Sequence, residues 1–283
     1  VTGELAAIVV VYHSGPVQPL IDELGSQGVT HVVVVDNGAS SPYARESYVG
    51  GCRVNEVAFG ANLGYGVAIN RVLVLIQEPI VLISNPDVMP HPGAITSLVS
   101  TVLASEDIGV VGPKILDTSG KRYPSFRRFP SLWQSMWHGA IGWLMPGSSA
   151  TRSYRMSDLD PGEPVVVPWL SGACLMCPRS ALVAIGGFDA KYRLYMEDVD
   201  LCRRLLLHGY QVVYQPAAVV THVGGVSSGK QRFRAIAQHH RSMVAFAAPE
   251  QRSTLALLVV TLGIGLRCGL SLVRAGVSGS VRN

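Results

Sequence analysis

The stretch Tyr195-Met196-Glu197-Asp198-Val199-Asp200-Leu201-Cys202-Arg203-Arg204 gathers three carboxylates and two guanidiniums in a chain where only 15% of residues are charged. Leu201, Leu205 and Leu206 recur at helical spacing, which predicts a helix with Glu197 and Asp198 in its first turn, pointing out of the domain. A carboxylate held there suits general-base work on a substrate proton. A plainer reading competes: acids favour a first helical turn because the macrodipole stabilises them, and the same dipole depresses the pKa and weakens the base. Asp200 fits the plainer reading, three and four residues before Arg203 and Arg204. For Glu197 and Asp198 the two readings stand level on this segment alone.

Other polar groups follow apolar runs. Asp36 closes Val32-Val33-Val34-Val35 and precedes Asn37-Gly38, so it reads either as an acceptor for the N–H groups of a uracil or thymine ring or as a turn former. Asp87 ends Ile83-Ser84-Asn85-Pro86-Asp87, where Pro86 fixes the turn. One carboxylate and a substrate diphosphate would hold Mg2+ or Mn2+, hard cations that take oxygen ligands and keep several substrate or water positions. His222, after Ala218 to Thr221, is read as completing or supporting that metal, against a purely structural role. Asn62-Leu63-Gly64-Tyr65-Gly66 with Asn70 offers close backbone approach at a helix N-terminus, a weak phosphate or base signal by itself.

These groups need a scaffold that brings them together. From Leu5 to Gly112 short β-branched runs alternate with longer amphipathic ones, the pattern of a parallel sheet with crossover helices. Predicted strands are Ala6 to Tyr12, His31 to Asp36, Cys52 to Glu56, Ile80 to Ser84 and Ile108 to Gly112, with helices near 16–27, 64–77 and 91–104. Ligands of such sheets bind beyond the carboxyl ends of the strands, where Tyr12, Asp36, Asn62 and Asp87 would lie. The pattern dissolves over 121–163 and order returns at Val165. Strands at Val212 to Tyr214 and Ala218 to His222 and a basic helix from Ser228 to Ala247 close the ordered part.

At 283 residues and 48% hydrophobic content, one enzyme-sized domain with an appendage is the default. The net charge of +4 is spread without long Lys/Arg runs, so nucleic acid is not implied as a partner. Five cysteines, an odd number without framework spacing, fit a reducing compartment, and Cys174-x-x-Cys177 lies in an apolar run that reads as a buried strand with the two thiols on opposite faces.

Taken in order, Asp36-Asn37, Asn62-x-Gly64, Asn85-Pro86-Asp87, Ser171-Gly172-Ala173, Gly186-Gly187-Phe188-Asp189, Glu197-Asp198 with Asp200 and Arg203, and His222 resemble the inverting GT-A glycosyltransferases of family 2. The resemblance covers about residues 5 to 225, and within the family it is nearest to bacterial rhamnosyltransferases that use dTDP-rhamnose and a polyprenyl-diphosphate-linked N-acetylglucosamine acceptor. It implies an α/β fold, a Rossmann-like, mostly parallel GT-A sheet flanked by helices. It implies that Tyr12, Asp36, Asn62, Gly64, Asn85 and Asp87 bind the nucleotide sugar, that Asp87 and His222 hold the divalent metal, and that Asp198 is the base with Glu197 in support. Gly172, Ala173, Arg127 and Trp169 are the acceptor-side candidates. The family's metal motif reads Asp-x-Asp, whereas Asn85 stands first here, leaving Asp87 as the sole carboxylate ligand. A nucleotide-sugar pyrophosphorylase would instead carry a Gly-rich basic loop where this chain has Tyr12-His13-Ser14-Gly15-Pro16.

Residues 1–225 are therefore read as the transferase domain, with 121–163 as an acceptor- or membrane-facing insertion, and 226–283 as basic and apolar helices associated with the membrane. Within the insertion, Trp133, Met136, Trp137, Ala140, Ile141 and Leu144 fit one helical face, which suits either core packing or a lipid acceptor. Leu255 to Leu266 is almost wholly apolar, but Arg267 and Arg274 interrupt a span, so the segment reads either as an interfacial helix on the cytoplasmic side of the plasma membrane or as a core helix capping the domain. The basic helix with Lys230, Arg232, Arg234, His239, His240 and Arg241 is read as binding lipid phosphates or the membrane, as a solvated face, or as a homodimer interface.

Overall fold

In a computed structural model of the chain, the described residues are 5–129, 156, 159, 161–223, 232–250 and 253–280. The buried β-branched runs form β1 (Leu5–Val11), β2 (His31–Asp36), β4 (Cys52–Phe59) and β5 (Ile80–Ser84), which lie in parallel in the order β4-β2-β1-β5. Side chains alternate across this sheet. Ala6 and Ile8 with Val33 and Val35 enter one apolar core, while Ala7 and Val9 with Val32 and Val34 enter the other. Helices α1 (Gln18–Ser26) and α3 (Ala94–Val102) cover the second core through Leu20, Leu24, Ile95 and Leu98; α2 (Tyr65–Leu73) covers the first through Ile69 and Val72.

The other half of the sheet runs β11-β7-β12-β6, with β7 (Ile108–Leu116), β11 (Cys174–Pro178), β12 (Gln211–His222) and the short β6 (Val88–Pro90). β11 is antiparallel to both β5 and β7 and joins the two halves. As expected, it is a buried strand, with Cys177 in one core and Cys174 in the other; burial pushes the Cys174 thiol up to about 12. The pair β8 (Phe126–Arg127) and β10 (Trp169–Leu170) forms a separate two-stranded piece, and β9 (Val165–Val166) pairs with β12.

The short β6, β8, β9 and β10 lie outside the sequence expectation, and two longer strands also differ from it. β3 (Pro42–Val49) pairs antiparallel with β4 at the sheet edge, unforeseen because most of its side chains face solvent and it carries no alternating apolar signal. The strands expected at Val212 to Tyr214 and Ala218 to His222 are one continuous strand, in which Pro216 is accommodated at an irregularity between Gln215 and Val219.

Beyond α4 (Arg179–Ala184) and α5 (Glu197–Leu207), the chain ends in α6 (Arg232–Ala247), a 3-10 turn (Ala248–Glu250) and α7 (Thr254–Ser280). Helix α6 is seated on the body: Phe246 enters the first core beneath the Arg203 guanidinium, 4.1 Å from its ring centroid, and Ser242 Oγ donates to Leu194 O at 3.0 Å. Helix α7 is apolar on two sides. Val260 and Ile264 pack against Ala247, Met243 and Val244, while Leu255, Leu258, Leu262, Leu266 and Leu270 are exposed on the opposite face. The aromatic stripe from Trp133 to Leu144, Lys230 and the predicted helix start at Ser228 lie outside the described residues.

Candidate active site

Parallel register places the chemistry on one edge. Val11 is paired with Asp36, Asp36 with Ala58, and Val9 with Ser84, so the loops after β1, β2, β4 and β5 all leave the sheet together. β11 enters from that same edge, its first residue Cys174 opposite Ser84, and His222 ends β12 there opposite Val88 of β6. Tyr12, Asp36, Asn62, Gly64, Asn85, Asp87, Gly172, Ala173 and His222 are thus gathered from segments more than 200 residues apart in the chain.

Asp36 Oδ1 accepts the backbone N–H of Gly38 at 2.9 Å and of Ala39 at 3.1 Å, and Oδ2 accepts from Tyr43 Oη at 3.0 Å. It is therefore a turn former, and the bonded Tyr43 phenol ties it to the edge strand. Its neighbour Asn37, which the sequence reading took only as part of the turn, is buried and makes the inter-loop contact. Asn37 Nδ2 donates to Asn62 Oδ1 at 3.2 Å and Asn37 Oδ1 accepts from Leu63 N at 2.8 Å. Asn62 Oδ1 also accepts Gly64 N at 2.9 Å, and Arg193 donates to Asn62 O at 2.7 Å. Gly64 sits at φ +87°, where an added Cβ would stand 2.8 Å from Arg193 O; only glycine lets the two loops approach this closely. Tyr12 is partly buried with its ring 4.4 Å from that of His13.

At the end of β5, Asp87 Oδ1 lies 3.2 Å from His222 Nε2, and Asn85 Nδ2 lies 3.5 Å from the same nitrogen. Asn85 N donates to Ala173 O at 2.9 Å, fixing the loop against β11. Both Asp87 and His222 keep about a fifth of their side-chain surface exposed. Among the described residues no three His, Cys, Asp or Glu side chains gather around one metal position. One carboxylate with one imidazole is a donor set that fits a divalent cation completing its shell from diphosphate oxygens and water, and does not fit a metal held by protein alone.

The acidic helix departs from expectation in orientation. Glu197 does not point outward: it is buried, 8% exposed, and its Oε2 has no hydrogen-bond partner among the described residues. Burial, reinforced by the charge of Asp198, pushes its pKa from the ordinary 4.5 up to about 8. Asp198 is partly buried and held by named donors, Gly172 N to Oδ2 at 2.9 Å and Val199 N to Oδ1 at 2.9 Å. Burial raises its pKa, while these two N–H groups and the charge of Arg127 oppose the rise. Desolvation thus outweighs the helix-terminus effect that weighed against a base here. Asp200, as expected, is structural: its carboxylate accepts from Arg204 Nε at 2.6 Å and Arg203 Nη2 at 3.4 Å, and Arg204 also caps the carbonyls of Ile185 and Gly187.

Gly172 is tied on both sides, its carbonyl accepting from Tyr65 Oη at 3.1 Å; a Cβ there would come within 3.0 Å of Asp198 Cβ. The sequence assigns Tyr65 no role, because a lone phenol in a glycine loop carries no signal for a partner 107 residues away. Arg127 lies over the Trp169 ring at 5.4 Å and the Tyr123 ring at 5.6 Å, while Trp169 is buried beneath it with its indole N–H donated to Arg128 O at 2.8 Å. The entry to α5 is strained: Tyr195 and Met196 both adopt positive φ, 64° and 70°.

Comparison with known proteins agrees with this geometry. The family described as "Glycosyltransferase like family 2" matches residues 24–245. The chain is 36% identical over 261 residues to the N-acetylglucosaminyl-diphospho-decaprenol L-rhamnosyltransferase of Mycobacterium tuberculosis (strain CDC 1551 / Oshkosh), covering 87% of this chain and 85% of that protein. Among solved structures it resembles the mannosyltransferase PcManGT from Pyrobaculum calidifontis in complex with GDP-Man and Mn2+, at 17% identity and TM-score 0.56 over all of this chain and 76% of that one. It also resembles GalNAc-T7 with UDP, GalNAc and Mn2+, at 12% identity and TM-score 0.55; there 78% of this chain is matched but only 44% of the other. The fold is the GT-A arrangement of a mostly parallel mixed sheet flanked by helices, and the chain belongs to glycosyltransferase family 2.

Proposed function

We propose that this enzyme transfers L-rhamnose from dTDP-rhamnose to an N-acetylglucosamine carried on a polyprenyl diphosphate, with inversion at the anomeric carbon. The observation that supports the acceptor and sugar is the similarity to the mycobacterial rhamnosyltransferase over most of both chains. The chemistry is supported by a carboxylate of raised pKa, Asp198, pinned by Gly172 N beside the strand-end edge that carries Asp87 and His222.

In this reading Asp198 removes the proton of the acceptor hydroxyl as that oxygen attacks the anomeric carbon from the face opposite the leaving group. The bond from that carbon to the diphosphate oxygen breaks, and its electron pair leaves with the nucleoside diphosphate. Glu197, pushed up to about 8, is protonated at neutral pH, so the adjacent pair carries one charge and the base stays available. Tyr12, Asp36, Asn62, Gly64 and Asn85 bind the nucleotide sugar, Asp36 through the acceptor capacity left beyond its turn bonds. Asp87 and His222 would hold Mg2+ or Mn2+, which when bound neutralises charge on the departing diphosphate. Gly172 and Ala173 floor the acceptor side, with Arg127 stacked on Trp169 at its wall. Residues 1–225 form the transferase body, and within 226–283 the exposed leucine face of α7 lies in the cytoplasmic leaflet.

The test is a transfer assay on vesicles containing the N-acetylglucosaminyl lipid, comparing labelled dTDP-rhamnose with UDP-galactofuranose, UDP-glucose and UDP-N-acetylglucosamine. Rhamnose entering the lipid fraction is the expected result. Entry of another sugar in its place refutes the donor.

A further inference from the structure

Two segments set where the Asp198 carboxylate stands, and one residue reaches both. The first is Ser171-Gly172-Ala173, whose Gly172 N–H is donated to Asp198 Oδ2 at 2.9 Å. Its flanks are fixed backbone to backbone, Ser171 N to Ser125 O at 2.7 Å and Asn85 N to Ala173 O at 2.9 Å. Gly172 between them is the residue type with the most backbone freedom, and its carbonyl accepts from Tyr65 Oη at 3.1 Å. The second segment leads into α5 through Arg193, Leu194 and the two positive-φ residues Tyr195 and Met196. Tyr65 is the contact here too, its N–H donated to Arg193 O at 3.3 Å. Tyr65 is itself placed by close packing. At the neighbouring Gly66 an added Cβ would stand 2.6 Å from Phe188 Cβ, and Asn70 brackets the same residue, donating Nδ2 to Phe188 O at 2.7 Å and accepting Phe188 N at 2.9 Å. The Tyr65 ring meets the Phe188 ring edge-on, with centroids 6.3 Å apart. Desolvation holds the Tyr65 phenol well above its ordinary 10, so it stays a donor across the working range.

A general base must stand within hydrogen-bond reach of the proton it removes, so whatever fixes Gly172 bears on turnover. We propose that Tyr65 is a positioning residue for the transfer reaction: its phenol fixes the Gly172 carbonyl, and through the Gly172 N–H it aims the Asp198 carboxylate at the acceptor hydroxyl. In this role Tyr65 takes no proton. The inference rests on Asp198 being the base and not on the identity of the sugar transferred.

The test is a double-mutant cycle in steady-state kinetics on vesicles containing the N-acetylglucosaminyl lipid. It uses the full-length protein and whichever of dTDP-rhamnose, UDP-galactofuranose, UDP-glucose and UDP-N-acetylglucosamine the wild type transfers. Tyr65→Phe removes one oxygen and keeps the ring against Phe188. It should lower kcat about tenfold, the kinetic equivalent of about one hydrogen bond, with the donor KM within about twofold of wild type. In the Asp198→Asn background the same change should lower the residual kcat by less than about twofold, because its route to the reaction is already gone. If Tyr65→Phe does not fold, Tyr65→Met, an adaptable filler without a donor, carries the same expectations. Wild-type kcat in Tyr65→Phe beside a collapsed Asp198→Asn would overturn the assignment and leave the base standing. An equal loss in both backgrounds would make Tyr65 a structural residue and overturn it as well, as would a raised donor KM with kcat unchanged. Near-normal kcat in Asp198→Asn alone would fault the base, and the positioning role with it.

Discussion

Replacing Glu197 by Gln keeps the shape of a buried side chain and removes its proton chemistry. With a folded pKa of about 8 against an ordinary 4.5, the folded protein holds this proton more tightly than the unfolded chain does. Stability from this group is therefore fully present below about 4.5 and is lost progressively as pH rises toward 8. At about 1.4 kcal/mol per unit, the loss between pH 5 and pH 8 is on the order of 3 kcal/mol. Glu197→Gln should abolish that decline, leaving a smaller one of the same sign from Asp198, whose pKa is also raised. Urea unfolding at half-unit pH steps reads the difference, provided the transition stays two-state with an unchanged slope. Equal pH slopes in the two proteins would refute a protonated Glu197, and with it the single-charge description of the acidic pair.

Asp198→Asn should retain dTDP binding and lower kcat by about 100- to 10,000-fold; near-normal turnover in steady-state assays would remove it as the base. Gly64→Ala places a Cβ 2.8 Å from Arg193 O at φ +87°, and roughly 1–3 kcal/mol of lost stability is expected from that clash in chemical denaturation. Leu262→Asp with Leu266→Asp puts two carboxylates on the exposed face of α7, and co-sedimentation with phosphatidylglycerol vesicles should fall more than tenfold. Undiminished co-sedimentation would locate membrane contact elsewhere.

Much of the scaffold was legible because its strands are buried on both faces. Runs such as Val32 to Val35 and Ile80 to Ile83 announce themselves by composition, and Asp36, Asp87 and His222 are visible as polar stops to them. What escaped depends on partners far away in sequence. Asn37 looks like any turn asparagine until Asn62 is found beside it, and Tyr65 until Gly172 is. The burial of Glu197 is hidden from the sequence for the same reason. Its local sequence describes an exposed first turn, whereas the tertiary structure buries it among neighbours that the heptad-scale pattern does not contain. β3 was missed because a strand with solvent on most of its surface has no apolar period to read.

The position of β11 has a consequence for how the chain can fold. The central strand that joins the two halves pairs Cys174 with Ser84 across about ninety residues, while β1, β2, β4 and β5 complete their own pairing within the first third of the chain. During synthesis the amino-terminal half-sheet can close early, but its β5 edge stays open until residues 174–178 emerge, exposing Ile80 to Ser84 as an unpaired apolar strand. Loop closure over that distance is slow, and the open edge is a template for intermolecular pairing. Chains cut short before β11 should therefore be recovered as aggregates, and the last strand to reach the middle of the sheet, more than the first strands made, sets when that open edge is closed.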